Sequence, residues 1–139
     1  MSAKFYTASR ASIPERAAMW RRLRDGGVEV TSTWIDEAGE GQSACLTNLW
    51  ARIAFEVSAA DFLSLYAEKN DFPLKGALIE VGMAVGNGKR VLVVVPDVEL
   101  EPRSLRPLGS WAMHPLVTFH RSIRHALDHA YAVYGAPRR

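Results

Sequence analysis

The sequence predicts a single-domain α/β protein across residues 1–139: a three-layer, flavodoxin- or Rossmann-like fold with a five-stranded, mainly parallel sheet between helices. Three observations carry this. Strand-like and helix-like segments alternate along the chain, which implies parallel pairing and right-handed crossovers. KRVLVVVP, residues 89–96, is a continuous apolar run, the pattern of a strand covered on both faces. A chain of 139 residues, nearly half of them hydrophobic, suits one core.

The elements follow in order. KFYTAS, residues 4–9, reads as a short strand entering a polar turn. Ser12-Ile-Pro-Glu15 has capping-box spacing with Pro14 in the first turn, and the helix stops at Gly26-Gly27. Ile13, Ala17, Trp20 and Leu23 form its predicted inner stripe. VEVTSTWI, residues 28–35, alternates and is β-rich, so it reads as the second strand. DEAGEGQSA is a polar loop. A helix over 46–60 leads into the strand DFLSLYAE, 61–68, and the loop KNDFP. Residues 74–86 form the third helix, ended by Gly-Asn-Gly. After the buried strand, 97–113 is an irregular Pro-rich excursion. HPLVTFH, 114–120, reads as a last strand before an amphipathic helix that turns Ile123, Leu127, Ala130 and Val133 or Tyr134 inward. In parallel sheets the ligand site lies beyond the C-terminal strand ends, near the switch in strand order. That puts 6–10, 34–37, 68–76 and Asp97 on the candidate rim.

Composition excludes several classes. A net charge of +2 is too small to imply a nucleic-acid polymer, and Arg16, Arg21, Arg22 and Arg24 read as a solvated helix face. One cysteine, Cys45, permits neither an intrachain disulfide nor a thiolate zinc cluster, and it reads as a small buried hydrophobe. No stretch approaches the roughly 20 apolar residues of a membrane span, and MSAKFYTASR lacks the apolar run of a signal peptide, so a cytoplasmic location is expected. His125 and His129 lie one turn apart but read as a solvated face. No metal and no cofactor is implied, since there is no Walker loop, dinucleotide fingerprint or Gly-x-Ser-x-Gly elbow.

Glu80 stands out. It is the one carboxylate of LKGALIEVGMAVGNGK, residues 74–89. At about 100° per residue, Leu74, Leu78, Val81 and Val85 form the predicted core stripe. Glu80 falls off that stripe, beside Gly76, Ala77, Met83 and Ala84. One reading is an exposed glutamate. The other is a carboxylate in a partly dry notch, where burial without a partner points to function. Gly76 and Gly82 each cost about 1 kcal/mol against Ala within a helix, and close approach of another group compensates. A lone glutamate in such a place suits nucleophilic attack at an anomeric carbon.

Four segments together resemble the nucleoside 2-deoxyribosyltransferase superfamily, which includes 2'-deoxynucleoside 5'-monophosphate N-glycosidases. They are KFYTAS leading into a helix, SAADFLSLYAE, GALIEVGMAVGNGKRVLVV with its Gly-x-x-x-Glu-x-Gly helix, and LGSW at 108–111. The resemblance implies double displacement. Glu80 attacks C1', expels the base and leaves a covalent glycosyl-enzyme that water or a second base resolves. It implies that Tyr6 orients the nucleophile and that Ser9 and Arg10 hold a phosphate. From residue type, Trp34 and Trp111 read either as stacking on a base or as core or subunit interface, and Gly76 reads as lining the substrate site. The resemblance also implies a homodimer or higher homo-oligomer in which 108–111 completes a neighbour's site.

Two acids of the family pattern are missing. Ile53 stands eight residues before Asp61, where an aspartate is usual, and Leu74 occupies the place of an acid before the glycine. Asp36, Glu37, Asp71 and Glu56 are the candidates to replace them, with Asp36 carried as catalytic and Asp71 as substrate-binding. Asp61 itself reads as structural. Two alternatives accompany the glycosyl-transfer reading: a non-catalytic nucleotide-binding module on this fold, and a glycohydrolase of ribonucleotides or NAD.

Overall fold

The computed structural model of the chain describes residues 2–37 and 45–135. Among these, five strands form one sheet in the order β2-β1-β3-β4-β5, and every pairing is parallel. The elements in chain order are β1 (Lys4–Ala8), α1 (Pro14–Asp25), β2 (Glu29–Val30), α2 (Leu46–Ala59), β3 (Phe62–Tyr66), α3 (Gly76–Gly86), β4 (Arg90–Val94), β5 (Val117–His120) and α4 (Ile123–Gly135). Short 3-10 turns occupy Trp34–Asp36, Lys69–Asp71 and Ser110–Met113. Right-handed crossovers place α2 and α3 on one face and α1 and α4 on the other, which makes three layers.

The two faces use alternate strand residues. Tyr6, Leu63, Val91 and Val93 join the larger core with α2 and α3. Phe5, Phe62, Leu92 and Val94 meet Ala126, Leu127 and Ala130 of α4. Phe5 and Phe62, paired in register, stack with ring centroids 5.5 Å apart. No described helix is long and apolar enough to cross a membrane.

Several expectations are corrected. The β-rich segment 28–35 contributes only two residues to the sheet. Its last ladder bond runs from Thr31 N–H to Phe5 O, and then the Ser32 hydroxyl, not a backbone carbonyl, accepts the Thr7 N–H. The chain turns in there and buries Trp34 and Ile35. The capping box is not formed: Ile13 is the N-cap of α1 without a side-chain bond, and the Ser12 hydroxyl accepts from Arg10 Nε. Cys45 is exposed, because it precedes α2 before the chain meets the core. Of the loop DEAGEGQSA, residues 38–44 lie outside the described ones.

The inward face of α3 is also rotated from the predicted stripe. Ala77, Glu80, Val81 and Ala84 are buried, while Leu78 and Val85 are half-buried at its side. A helix apolar nearly all round gives periodicity little to choose by, and the small Ala77 and Ala84 are the side that fits closely on a sheet. On α4 the histidines are not a solvated face. His120, His125 and His129 pack together, with His120 Nδ1 2.9 Å from His125 Nδ1 and the His129 Nε2 buried. Burial, then His129 and His125, push the His120 imidazole down to about 4. No group of these or other residues among the described ones is arranged to hold a metal.

Arg22 of α1 is exposed, but Arg16, Arg21 and Arg24 are structural. Arg21 donates to Ile35 O, and Arg24 forks onto Asp36 at 2.8 and 2.9 Å. Arg16 forks onto Asp71 at 2.7 and 3.0 Å, and its guanidinium lies 5.4 Å from the Tyr66 ring centroid. Asp71 is 2% exposed and also accepts the Glu68 N–H. Burial alone raises its carboxyl; the Arg16 fork and that N–H outweigh burial and hold it below the ordinary carboxylate range.

Removing one partner of this pair leaves the other buried. Asp71→Ala is expected to destabilise by about 3 kcal/mol at pH 7 in urea unfolding. Because the folded carboxyl is depressed, its stabilisation is complete above the unfolded value near 4 and is lost as pH falls through the folded value. The gap between Asp71→Ala and the parent therefore narrows toward pH 3; a gap independent of pH sinks the assignment.

Candidate functional site

The strand order reverses between β1 and β3. From β1 the chain passes through α1 to β2 on one side, then returns across to β3 on the other. The C-terminal ends of β1 and β3 diverge there and open a crevice. A cavity of about 350 Å³ fills it, within the usual range for small-molecule sites. The loop after β1 supplies Ser9, Arg10 and Ser12; the turn after β2 supplies Trp34; α2 supplies Leu49, Trp50 and Ile53; the start of α3 supplies Leu74 to Ala77, with Glu80 deeper.

Glu80 is 7% exposed, and no lysine or arginine pairs with its carboxylate among the described residues. Burial first, then the charge of Glu56, push its carboxyl up to about 8; the nearby Tyr6 phenol works against them. The Tyr6 hydroxyl is fully buried and has no partner that meets hydrogen-bond geometry. Burial and then Glu80 push that phenol far up, so it stays protonated and faces the carboxylate as a potential donor. A buried hydroxyl without a well-aligned acceptor, beside a buried carboxylate without a cation, is an arrangement that a ligand would complete.

The other predicted site residues separate into two groups. Arg10, Trp34 and Gly76 join Glu80 around the cavity. Trp34 is fixed by its Nε1–H, which donates to Thr7 O at 2.7 Å. Gly76 lies under Trp50: a Cβ there would stand 3.4 Å from the ring. Ser9 also lines the cavity, but its hydroxyl donates to Tyr66 O at 2.8 Å and accepts from Trp20 Nε1 at 2.9 Å. It is a core hydroxyl, not a free phosphate donor.

Asp36, Asp71 and Trp111 do not line this cavity. Arg24 first of all, and then its charge, hold Asp36 below the ordinary range, so it has no proton to give. Asp71 is spent on Arg16, and Glu56 accepts both the N–H and the hydroxyl of Thr33, at 2.9 and 2.6 Å. Trp111 lies on the other flank of α3, in a separate hollow with Leu78, Val81, Gly82 and Val85, and its Nε1–H donates to Leu108 O. Gly82 opens onto that hollow.

Trp50 and Lys75 were not singled out from the sequence. The signal for Trp50 was its place one turn before Ile53 on α2, opposite the costly Gly76. Lys75 adopts φ 55°, which no local pattern announces, and pairs with no carboxylate among the described residues. With Arg10 it makes the cavity rim cationic.

No family model and no curated protein sequence matches the chain. Solved structures do. A 2-deoxyribosyltransferase from Bacillus psychrosaccharolyticus superposes with a TM-score of 0.69 at 19% identity, over 94% of this chain and 95% of that one. The fold is that of 2-deoxyribosyltransferases. A second such enzyme, from Leishmania mexicana, gives 0.62 at 18% identity over 96% and 98%. A CMP N-glycosidase from Clostridium botulinum gives 0.53 at 13% identity over 92% and 98%.

Linkage gives a stability prediction for Glu80. Its folded carboxyl titrates above the ordinary value of 4.5, so the native state holds a proton that the unfolded state has lost. Stability is therefore highest below that value and falls as pH rises toward 8. Glu80→Gln is expected to remove this fall and raise Tm by about 3 °C or more at pH 8. A lowered Tm in calorimetry at that pH would falsify the buried, unpaired state of Glu80.

Proposed function

We propose that the protein cleaves or transfers the N-glycosidic bond of nucleosides or their 5'-monophosphates, with Glu80 as nucleophile. The observation that carries this is a nearly buried carboxylate with no cationic partner among the described residues, at the wall of a cavity at the switch point, on a fold shared with 2-deoxyribosyltransferases. The Glu80 carboxylate attacks C1' while the base departs, giving a glycosyl ester; water or a second base then takes the sugar and restores the carboxylate. The Tyr6 hydroxyl holds the carboxylate in its attacking position. Trp34 and Trp50 give the base an aromatic wall. Arg10 and Lys75 attract the phosphate of a monophosphate.

A second reading, a nucleotide-binding module without turnover, is favoured by one observation. Ile53 and Leu74, the two positions where acids are expected, both line the cavity as apolar residues.

Chromatographic assay for free base decides between them. The protein is incubated with nucleosides, deoxynucleosides and their 5'-monophosphates, alone and with an acceptor base, beside Glu80→Ala. Expected is base release that Glu80→Ala reduces by at least about 1000-fold, rising with pH toward 8 as Glu80 ionises. Saturable nucleotide binding without release by folded protein favours the module. Trp111, on the far flank of α3, serves only a neighbour's cavity in this reading. Sedimentation is expected to give at least a dimer, and a strict monomer removes the shared site.

A further inference from the structure

Among the described residues, the carboxylates near the cavity have an arginine or a threonine as partner, with Glu80 the exception. Asp71 holds Arg16, Asp36 holds Arg24, and Glu56 holds Thr33. Among the described residues that line the cavity, Glu80 is the only carboxyl group. Beside it the wall is Trp34, Leu49, Trp50, Ile53 and Leu74. Of the remaining polar side chains there, the Ser12 hydroxyl accepts from Arg10 Nε. The Ser9 hydroxyl is committed to Tyr66 O, Arg10 does not deprotonate, and Lys75 is exposed at the rim.

This bears on the leaving group. A neutral base that departs from C1' leaves as an anion unless it is protonated, and a positioned acid contributes about 10²–10⁴-fold to such steps. Glu80 cannot be that acid in the first step, because as nucleophile it must be ionised. A base that is already cationic has no such need. The electron pair of the breaking C1'–N bond neutralises it, and it leaves as a neutral molecule. The cavity suits such a base in two further respects. Trp34 and Trp50 supply aromatic surface, which attracts a cation. A positive charge over Glu80 favours its ionised form.

We propose that the preferred substrate is a cationic N-glycoside, a pentose 5'-phosphate bearing a quaternised heteroaromatic base. Arg10 and Lys75 take the phosphate end, and Glu80 meets C1' beneath the base. In the first step the Glu80 carboxylate forms the C1'–O bond, the C1'–N bond breaks, and the base departs neutral. In the second, water adds to C1', the carboxylate is released, and one proton goes to solvent. This inference rests on the glycosyl-transfer reading of Glu80.

The test compares pairs that differ only in base charge. Release of N7-methylguanine from N7-methylguanosine 5'-monophosphate is measured against release of guanine from guanosine 5'-monophosphate, and likewise for the 2'-deoxy pair. Each kcat/KM is divided by its uncatalysed rate, so that the intrinsic lability of the methylated base cancels. A site with a general acid accelerates the neutral base about 100-fold or more over the cationic one, since only the neutral base uses the proton. Expected here is a larger undivided kcat/KM for the cationic base and, after division, an acceleration at least equal to that of the neutral one. A neutral member accelerated about 100-fold more than the cationic one overturns the inference and leaves Glu80 chemistry standing. Release from neither member of either pair overturns both. Ile53→Asp adds a second arm: it is expected to speed the neutral base relative to the cationic one, whereas Ile53→Asn is not. A gain shared by both variants, or confined to the cationic base, counts against the proposal.

Discussion

The shape of the cavity depends on Asp71. This carboxylate sits where α1, the end of β3 and the approach to α3 converge. It grips the Arg16 fork, accepts the Glu68 N–H and, through its backbone carbonyl, holds Arg10 Nη1 at 3.2 Å. Each partner belongs to a different stretch of chain. Without Arg16 the buried carboxylate would carry uncompensated charge, so this pair anchors the network. The rim cation Arg10 and the entry to α3 are thereby placed relative to each other.

Glu80 shows the opposite arrangement. Its burial is not compensated by an arginine, and its nearest polar neighbours are a phenol without a partner and a second carboxylate, Glu56, tied to Thr33. Stability is given up at this position, and reactive groups are typically held in this state. The surrounding structure tolerates it because Ala77 and Ala84 let α3 lie close to the sheet. Glu56 also fastens the turn that carries Trp34, so the same contact that opposes Glu80's charge builds the aromatic wall of the cavity.

Much of the architecture was legible in the chain. The apolar run at β4, the glycine stops after α1 and α3 and the strand–helix alternation are local signals, and each marks a real element. Glu80 was legible because a lone charge in an apolar helix is conspicuous. What misled was chemistry that local pattern cannot price. β-branched residues at 28–35 promised a full strand, but the Ser32 hydroxyl takes the place of a ladder partner and ends it. Arg16, Arg21 and Arg24 of α1 looked like a solvated face, because their partners, Asp71, Ile35 and Asp36, lie on other segments.

Sequence by itself determined the element order, the parallel sheet and the position of the unusual carboxylate. These follow from hydrophobic periodicity and from residue types that stop helices, both properties of neighbours along the chain. Tertiary structure alone decided which acids are available. Asp36 and Asp71 are consumed by arginines, Ser9 is turned into the core, Trp111 lies across α3 from Glu80, and Trp50 and Lys75 enter the cavity. The reason is physical. A side chain's charge state and direction are set by partners distant in sequence, and only the folded chain brings those partners within reach.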